Sequence, residues 1–385
     1  MTAQTTDMRT WAMGRELIDL PKSWNYSTGS DVTFYYGLGA DHKAVSVRIL
    51  AERITPQLFA SEVARRANLI RAVGNTRTGG SMLLESTTLD PQQILLRYQR
   101  RTDGNSAEIQ ELHRWVEGVY VMIKAEAYDG VIAPVTERIK TLASSIEKIA
   151  DPERAGPGFA LGPIIIRGNH DHESASITYY LPASNVSLKI YLSAITPNTK
   201  QRLIPRFKQD ADDIGYPYKL LKQGPLTIAT MASEQVLVAF RGEDHRLFKF
   251  MAETYRATPS LAQQTLSVTM SGGGPKRRTL DPDAPVDLVR WSLPSFVPRY
   301  WERPLWQRPP PPPAVDAEYT DHEAIGVWDA IIGSIRPRGG AVAPPVPPAP
   351  PKPTAYRSPT REQAEAERRG LDAFLASPPR SKPKT

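Results

Sequence analysis

Hydrophobic and polar positions along the first 150 residues alternate between a period near 3.6 and a period of 2, which predicts a mixed α+β fold. Past the apolar Leu17, Ile18 and Leu20, the residues Phe59, Val63, Ala67 and Ile70 recur on one stripe and predict a helix over 56–73. Strand-like segments follow from Ser81, Gln93, Glu108 and Val119. The last is the cleanest: Val119, Val121, Ile123 and Ala125 alternate with Tyr120, Met122, Lys124 and Glu126. Asp90-Pro91, Asp103-Gly104-Asn105 and Glu117-Gly118 supply the turns of an antiparallel meander. A second helical stripe of Val135, Ile139, Leu142, Ile146 and Ile149 closes the unit.

Asp151 to Gly158, DPERAGPG, reads as a linker, and the same grammar then repeats. A strand from Val186 alternates Val186, Leu188, Ile190 and Leu192 against polar neighbours. A helix near Asn198 is limited by Pro205. Strands are predicted from Leu226, Gln235, Arg246 and Gln264, and a final helix carries Ala324, Trp328, Ile331 and Ile335. The expected architecture is therefore α+β with two related domains, each an antiparallel β-meander packed with two helices. The expected boundaries are 1–152 and 153–341, the second domain carrying a long Pro/aromatic loop over 272–318. A basic, Pro-rich tail over 342–385 is expected to be disordered.

The chain has 385 residues and a formal net charge of +7. The last 50 residues hold 12 prolines and 10 Lys/Arg against 4 Asp/Glu, leaving 38 basic and 37 acidic residues elsewhere. Most of the charge therefore sits in this C-terminal segment, so a basic face for nucleic acid is not implied. With no cysteine, disulfides, thiolate nucleophiles and Cys-ligated metals are excluded. No stretch approaches the roughly 18 apolar residues of a membrane span, and the N-terminus lacks the pattern of a secretion signal.

No GxSxG elbow is present, and Gly272-Gly273-Gly274-Pro275-Lys276 lacks the Lys-Ser/Thr ending of a P-loop. GNHDHES is the most enzyme-like stretch: on a strand His170 and His172 would share a face, and Asp171 and Glu173 are possible ligands. The ligand set is incomplete locally, and Gly168-Asn169 marks a turn, so a solvated loop is the expected reading. Trp291, Phe296, Tyr300, Trp301 and Trp306 sit among prolines and arginines before the Pro309–Pro313 run. Base stacking, a polyproline ligand and a strap across the second domain all account for such a segment, and the strap is favoured. No catalytic residue and no cofactor is expected.

Three segments bear a resemblance. Met13 to Pro21, MGRELIDLP, is similar to the G-R-Y-x-I-D-L-P opening of type VI secretion immunity proteins that neutralise phospholipase effectors, the class-four type with N- and C-terminal domains. Gly158 to Gly162 resembles the start of that family's second domain, and Ala324 to Ala341 its closing helix, a Trp-Asp pair before S-I/L-R-x-R. The signature residues here are Gly14, Arg15, Asp19, Pro21, Trp328, Asp329 and Arg336. Glu16 replaces the motif's Tyr, and Ala12 and Ala160 stand where the resemblance leads us to expect cysteines. The resemblance implies an inhibitor without an active site, whose partner is a cognate lipase effector. Trp291, Tyr300, Trp301 and Trp306 are the candidate partner-binding residues. It also implies work in the cell envelope, with the cytosol as the alternative since no export signal is visible. A metal-dependent hydrolase using residues 170–173 and a proline-rich adaptor are the competing readings.

Overall fold

The computed structural model describes residues 7–36, 43–170, 172–182, 184–194, 201–213, 217–241, 245–256, 258, 260–275, 294–296 and 314–343. The first half opens with a hairpin, β1 (Met8–Met13) and β2 (Glu16–Pro21), followed by β3 (Asn25–Tyr26), β4 (Asp31–Tyr36) and β5 (Lys43–Ala51). Helix α1 (Pro56–Arg71) precedes the meander β6 (Leu83–Asp90), β7 (Gln93–Gln99), β8 (Ala107–Val116) and β9 (Val119–Tyr128). Helix α2 (Ile132–Ser144) and β10 (Ile146–Lys148) close the half.

The second half repeats the plan. A hairpin of β11 (Phe159–Leu161) and β12 (Ile164–Ile166) leads to β13 (His172–Tyr180) and β14 (Ser187–Ser193). Then come α3 (Leu203–Asp213) and the strands β15 (Tyr218–Ile228), β16 (Met231–Arg241), β17 (Arg246–Thr254) and β18 (Thr265–Gly272). The short pair β19 (Gly274–Pro275) and β20 (Ala314–Val315) precedes α4 (Asp321–Ser334) and β21 (Arg336–Pro337).

One sheet runs through both halves in the order β15-β16-β17-β18-β14-β13-β4-β5-β9-β8-β7-β6, with β3 added on β13. Read outward from the centre, each half has the same order: β4-β5-β9-β8-β7-β6 and β13-β14-β18-β17-β16-β15. The halves are thus related, as the repeated grammar predicts. The inward face, with Val32, Phe34, Ile123, Ile177, Ile190 and Val268, joins the two hairpins, α2 and α4 in a single apolar core. On the outward face α1 and α3 pack separately, on Leu96, Tyr98 and Met122 and on Val236 and Val238.

The closing strands are exchanged. β10 of the first half pairs with β12 of the second, and β21 of the second pairs with β2 of the first. Met1–Ala343 accordingly form one compact unit. The expected boundary at 152/153 falls between β10 and β11, two strands of one three-stranded sheet. The loop expected over 272–318 has described structure at its base, through β19 and β20, and at 294–296. The tail beyond 343 lies outside the described residues.

Two local expectations are corrected. The stripe over 135–149 does not continue as helix: α2 stops at Ser144, and Ile146 points into the core from β10. The strand expected from Leu226 contains a turn, because Ala229 and Thr230 take φ of 47° and 70° and join β15 to β16. Two successive positive φ angles make a tight hairpin, a conformation that Gly or Asn usually signals.

Candidate functional site at the junction of the halves

The signature residues converge where the opening hairpin meets the closing segment. Gly14 and Arg15 form a two-residue turn between Met13 and Glu16, with Gly14 at φ +59°. A Cβ at Gly14 would lie 2.7 Å from Gln264 Oε1 and 2.9 Å from Leu192 Cδ2, so only glycine fits there. The backbone of Gly14 exchanges hydrogen bonds of 2.8 and 3.0 Å with Ala160, binding the tip to β11. Ala12 and Ala160 pack with Leu17 in one small cluster, so the two positions where cysteines were expected are neighbours.

Arg15 reaches into the second half. Its Nε donates to Glu173 Oε1 at 3.0 Å and Nη2 to Oε2 at 3.1 Å, with both side chains at most 1% exposed. Nη1 donates to the Ala341 carbonyl at 2.6 Å and Nη2 to that of Gly168 at 3.2 Å. Gln264 Nε2 donates to Glu173 Oε1 at 2.6 Å. Burial pushes the Glu173 carboxyl up, and Arg15 and Gln264 pull it back. A buried pair whose remaining atoms are hydrogen-bonded is the tolerable form of a buried charge, and removing one partner is costly.

Arg336 Nη1 donates to Asp19 Oδ2 at 2.9 Å and Nη2 to Glu153 at 3.3 Å, and Thr10 Oγ1 donates to Asp19 Oδ1 at 2.8 Å. Arg338 donates to the carbonyls of Gly14 at 3.1 Å, Gly158 at 2.5 Å and Gly156. Burial, with Arg15 and Arg167 nearby, brings the Arg338 guanidinium down to about 10. Glu16 differs from its neighbours: it is 1% exposed and, among the described residues, neither carboxylate oxygen has a hydrogen-bond partner. Burial pushes it up to about 7 against the pull of Arg338.

Of the other signature residues, Pro21 ends β2 inside the protein. Trp328 is fully buried, donates from Nε1 to Gln235 Oε1 at 3.0 Å and meets Phe250 edge-on at 5.9 Å. Asp329 faces outward and pairs with Lys222 at 2.8 Å. Gly14, Arg15, Asp19 and Arg336 are thus brought together as a stitch between halves. Sequence reading passed over Gln264 and Arg338 and took Glu173 for a possible metal ligand. The Arg-Pro-Arg run holding Arg336 and Arg338 was the available signal.

His170 and His172 are not brought to one face. The His170 ring packs 4.1 Å from Phe34, an inward residue, whereas His172 sits on β13 opposite Tyr35 on the outward side. Asp171 lies outside the described residues, and Glu173 is the partner of Arg15. Among the described residues no group of three or more His, Asp or Glu is placed to hold a metal.

A second polar cluster lies beneath α1. Arg66 holds Glu111 through hydrogen bonds of 2.7 and 2.8 Å, Tyr98 donates to Glu111 at 2.6 Å, and the Tyr120 hydroxyl lies 2.8 Å from His113 Nδ1. Burial alone would raise Glu111, but Arg66 and His113 hold its carboxyl well below the usual range. Burial also lowers His113, against Glu111. These groups have the chemistry of an acid–base site, yet none is more than 2% exposed, so they hold α1 on the sheet.

Trp291, Tyr300, Trp301 and Trp306 lie outside the described residues. Phe296, from the same loop, meets Tyr98 edge-on at 5.9 Å, so this part of the expected strap rests on the first half, not the second.

Comparison with known proteins bears on the whole arrangement. Residues 153–288 match the family model of the Tle cognate immunity protein 4 C-terminal domain. A chain of the crystal structure of the Tle4-Tli4 complex aligns at TM-score 0.59 and 19% identity, over 88% of this chain and 99% of that one. The apo structure of immunity protein TplEi of the type VI secretion system from Pseudomonas aeruginosa aligns at TM-score 0.58 and 20% identity, over 87% and 98%. The same immunity protein complexed with "L" peptide aligns at 0.53 and 20%, over 87% and 99%. At these identities the likeness establishes the fold. No curated protein sequence matches the chain significantly. The family to which the opening and closing motifs pointed is the one whose C-terminal-domain model matches.

Proposed function

We propose that this chain is an immunity protein that binds a cognate phospholipase effector of the type VI secretion system and blocks access to its active site. The observation that carries the reading is the family match over 153–288, set within a fold likeness that extends through both halves. The geometry agrees with it. The signature residues build a rigid junction, and the acid–base cluster under α1 is sealed from substrate. Protection from a toxin rests on slow dissociation, which a preorganised body supplies. No described helix is long and apolar enough to cross a membrane.

The test is co-expression with the lipase encoded beside this gene. The protein is expected to co-purify with it, suppress phospholipid hydrolysis at equimolar ratio, and rescue growth when directed to the lipase's compartment. Folded protein that neither binds nor inhibits that lipase overturns the assignment. One equivalent of retained metal, lost on His170→Ala, would favour the hydrolase instead.

A further inference from the structure

Residues 336–343 follow α4, and their hold on the rest of the protein is almost wholly polar. β21 is an edge strand of two residues, with Arg336 opposite Leu17 and Pro337 opposite Glu16, and proline offers no N–H to the ladder. The Arg338 amide donates to the Arg15 carbonyl at 2.9 Å, and the Gly158 amide to the Ala341 carbonyl at 2.9 Å. Asn169 and Ala343 exchange hydrogen bonds of 2.9 and 3.0 Å. The central tie is the Arg338 guanidinium, whose Nη atoms donate to the carbonyls of Gly14, Gly156 and Gly158. Val342 is the largest aliphatic side chain of the segment and is only half-buried. A stretch held by hydrogen bonds over little apolar area belongs to the parts of a protein that open locally.

Beside this tie lies Glu16. It alternates with Leu17 along β2 and stands opposite Met13, so its side chain is on the face that joins the main apolar core. Both of its carboxylate oxygens and the Nε of Arg338 are buried without a hydrogen-bond partner among the described residues. The other charges on the elements packed here are already engaged. Arg15 is held by Glu173 of β13, Arg336 pairs with Asp19 and Glu153 on the far side of β2, Arg167 pairs with Glu147, and Asp329 of α4 turns out to Lys222. The His170 ring stacks on Phe34. Among the described residues Arg338 is left as the charge that faces Glu16, and it is committed to three carbonyls. A bare carboxylate in an apolar interior is costly. A Glu16 that loses its proton must therefore draw Arg338 off those carbonyls or admit water, and either route undoes the tie.

We propose that Glu16 is a proton-dependent latch on the closing segment: residues 336–343 stay docked on β2 and β11 while Glu16 keeps its proton, and detach as a unit as it gives the proton up. The device does not depend on the immunity reading. The test is hydrogen exchange on the full chain at pH 6 and pH 8, corrected for the intrinsic rate. The carboxyl takes its ordinary 4.5 in the open form and about 7 in the docked form, so the amides of Gly158, Arg338 and Ala343 are expected to open about 10-fold more often at pH 8 than at pH 6. The amides of α1, which open without exposing Glu16, are expected to show no such change. Glu16→Gln and Glu16→Ile cannot ionise and are expected to abolish the difference; the wild-type comparison decides alone if neither variant folds. Equal corrected rates at the two pH values, protection that rises with pH, or a difference that persists in a folded variant overturns the latch. Closing-segment amides no faster than those of β8 would mean that the segment opens only with the whole protein, which overturns it as well.

Discussion

The two halves share one strand order, yet their outer layers are built to different depths. In the first, α1 buries Phe59, Val63, Ala67 and Ile70 against a broad cluster, and its Arg66 grips Glu111 with exposures of 1% and 0%. In the second, Leu203 and Phe207 of α3 rest on Val236 and Val238, and the corresponding Arg206–Glu253 pair, at 2.6 Å, is 35% and 14% exposed. The inner layers match: Ile139 of α2 and Trp328 of α4 are both fully buried. The opening hairpins match in shape and differ in chemistry. Gly162 takes φ +56° as Gly14 takes +59°, but the position equivalent to the buried Glu16 is the buried Ile164. The same topology therefore tolerates either a sealed or an open ion pair, and either a carboxylate or an aliphatic side chain, provided the shared core is filled.

The outer layers can be set apart by deleting each arginine. Arg66→Ala strands Glu111 in the interior and is expected to cost about 3–5 kcal/mol in urea denaturation. Equality with the Arg206 variant would break the comparison. The inner layers are expected to respond alike: Trp328→Ala and Ile139→Ala should each cost roughly 2–5 kcal/mol, read by thermal melting. An unchanged melting temperature for Trp328→Ala would mean that α4 is not held as described.

The hairpins are separated by pH. The Glu16 carboxyl is raised from 4.5 to about 7, so the folded state holds its proton more tightly than the unfolded chain. That contribution is fully present below pH 4.5 and is lost as the pH rises to about 7. Glu16→Ile, which copies the second hairpin, should then stabilise the protein by about 2–3 kcal/mol at pH 8 relative to its effect at pH 4. A pH-independent effect would show that Glu16 is solvated. The smallest effect is expected at the open pair, where Arg206→Ala should cost under about 1 kcal/mol and fade with salt.

Much of this was legible along the chain. The stripe of Phe59 to Ile70 predicts α1, and Thr55 caps it just ahead of Pro56. β7, β8 and β9 fall where alternation and turn residues place them. The opening strands were not legible, because β2, β11 and β12 are buried on both sides and lose their period of 2. The β15–β16 turn was hidden because Ala229 and Thr230 carry no glycine signal.

The sequence by itself determined the alternation of strands and helices, the repeat, and the family motifs, because each depends on residues close together in the chain. Only the tertiary structure decided that β4 and β13 join the halves in one sheet, that β10 and β21 are exchanged, and that Arg15 meets Glu173, 158 positions away. Local periodicity says which face of an element is buried but not against what. Pairing across such separations is settled by the shared core and by the cost of leaving a buried guanidinium or carboxylate without its partner.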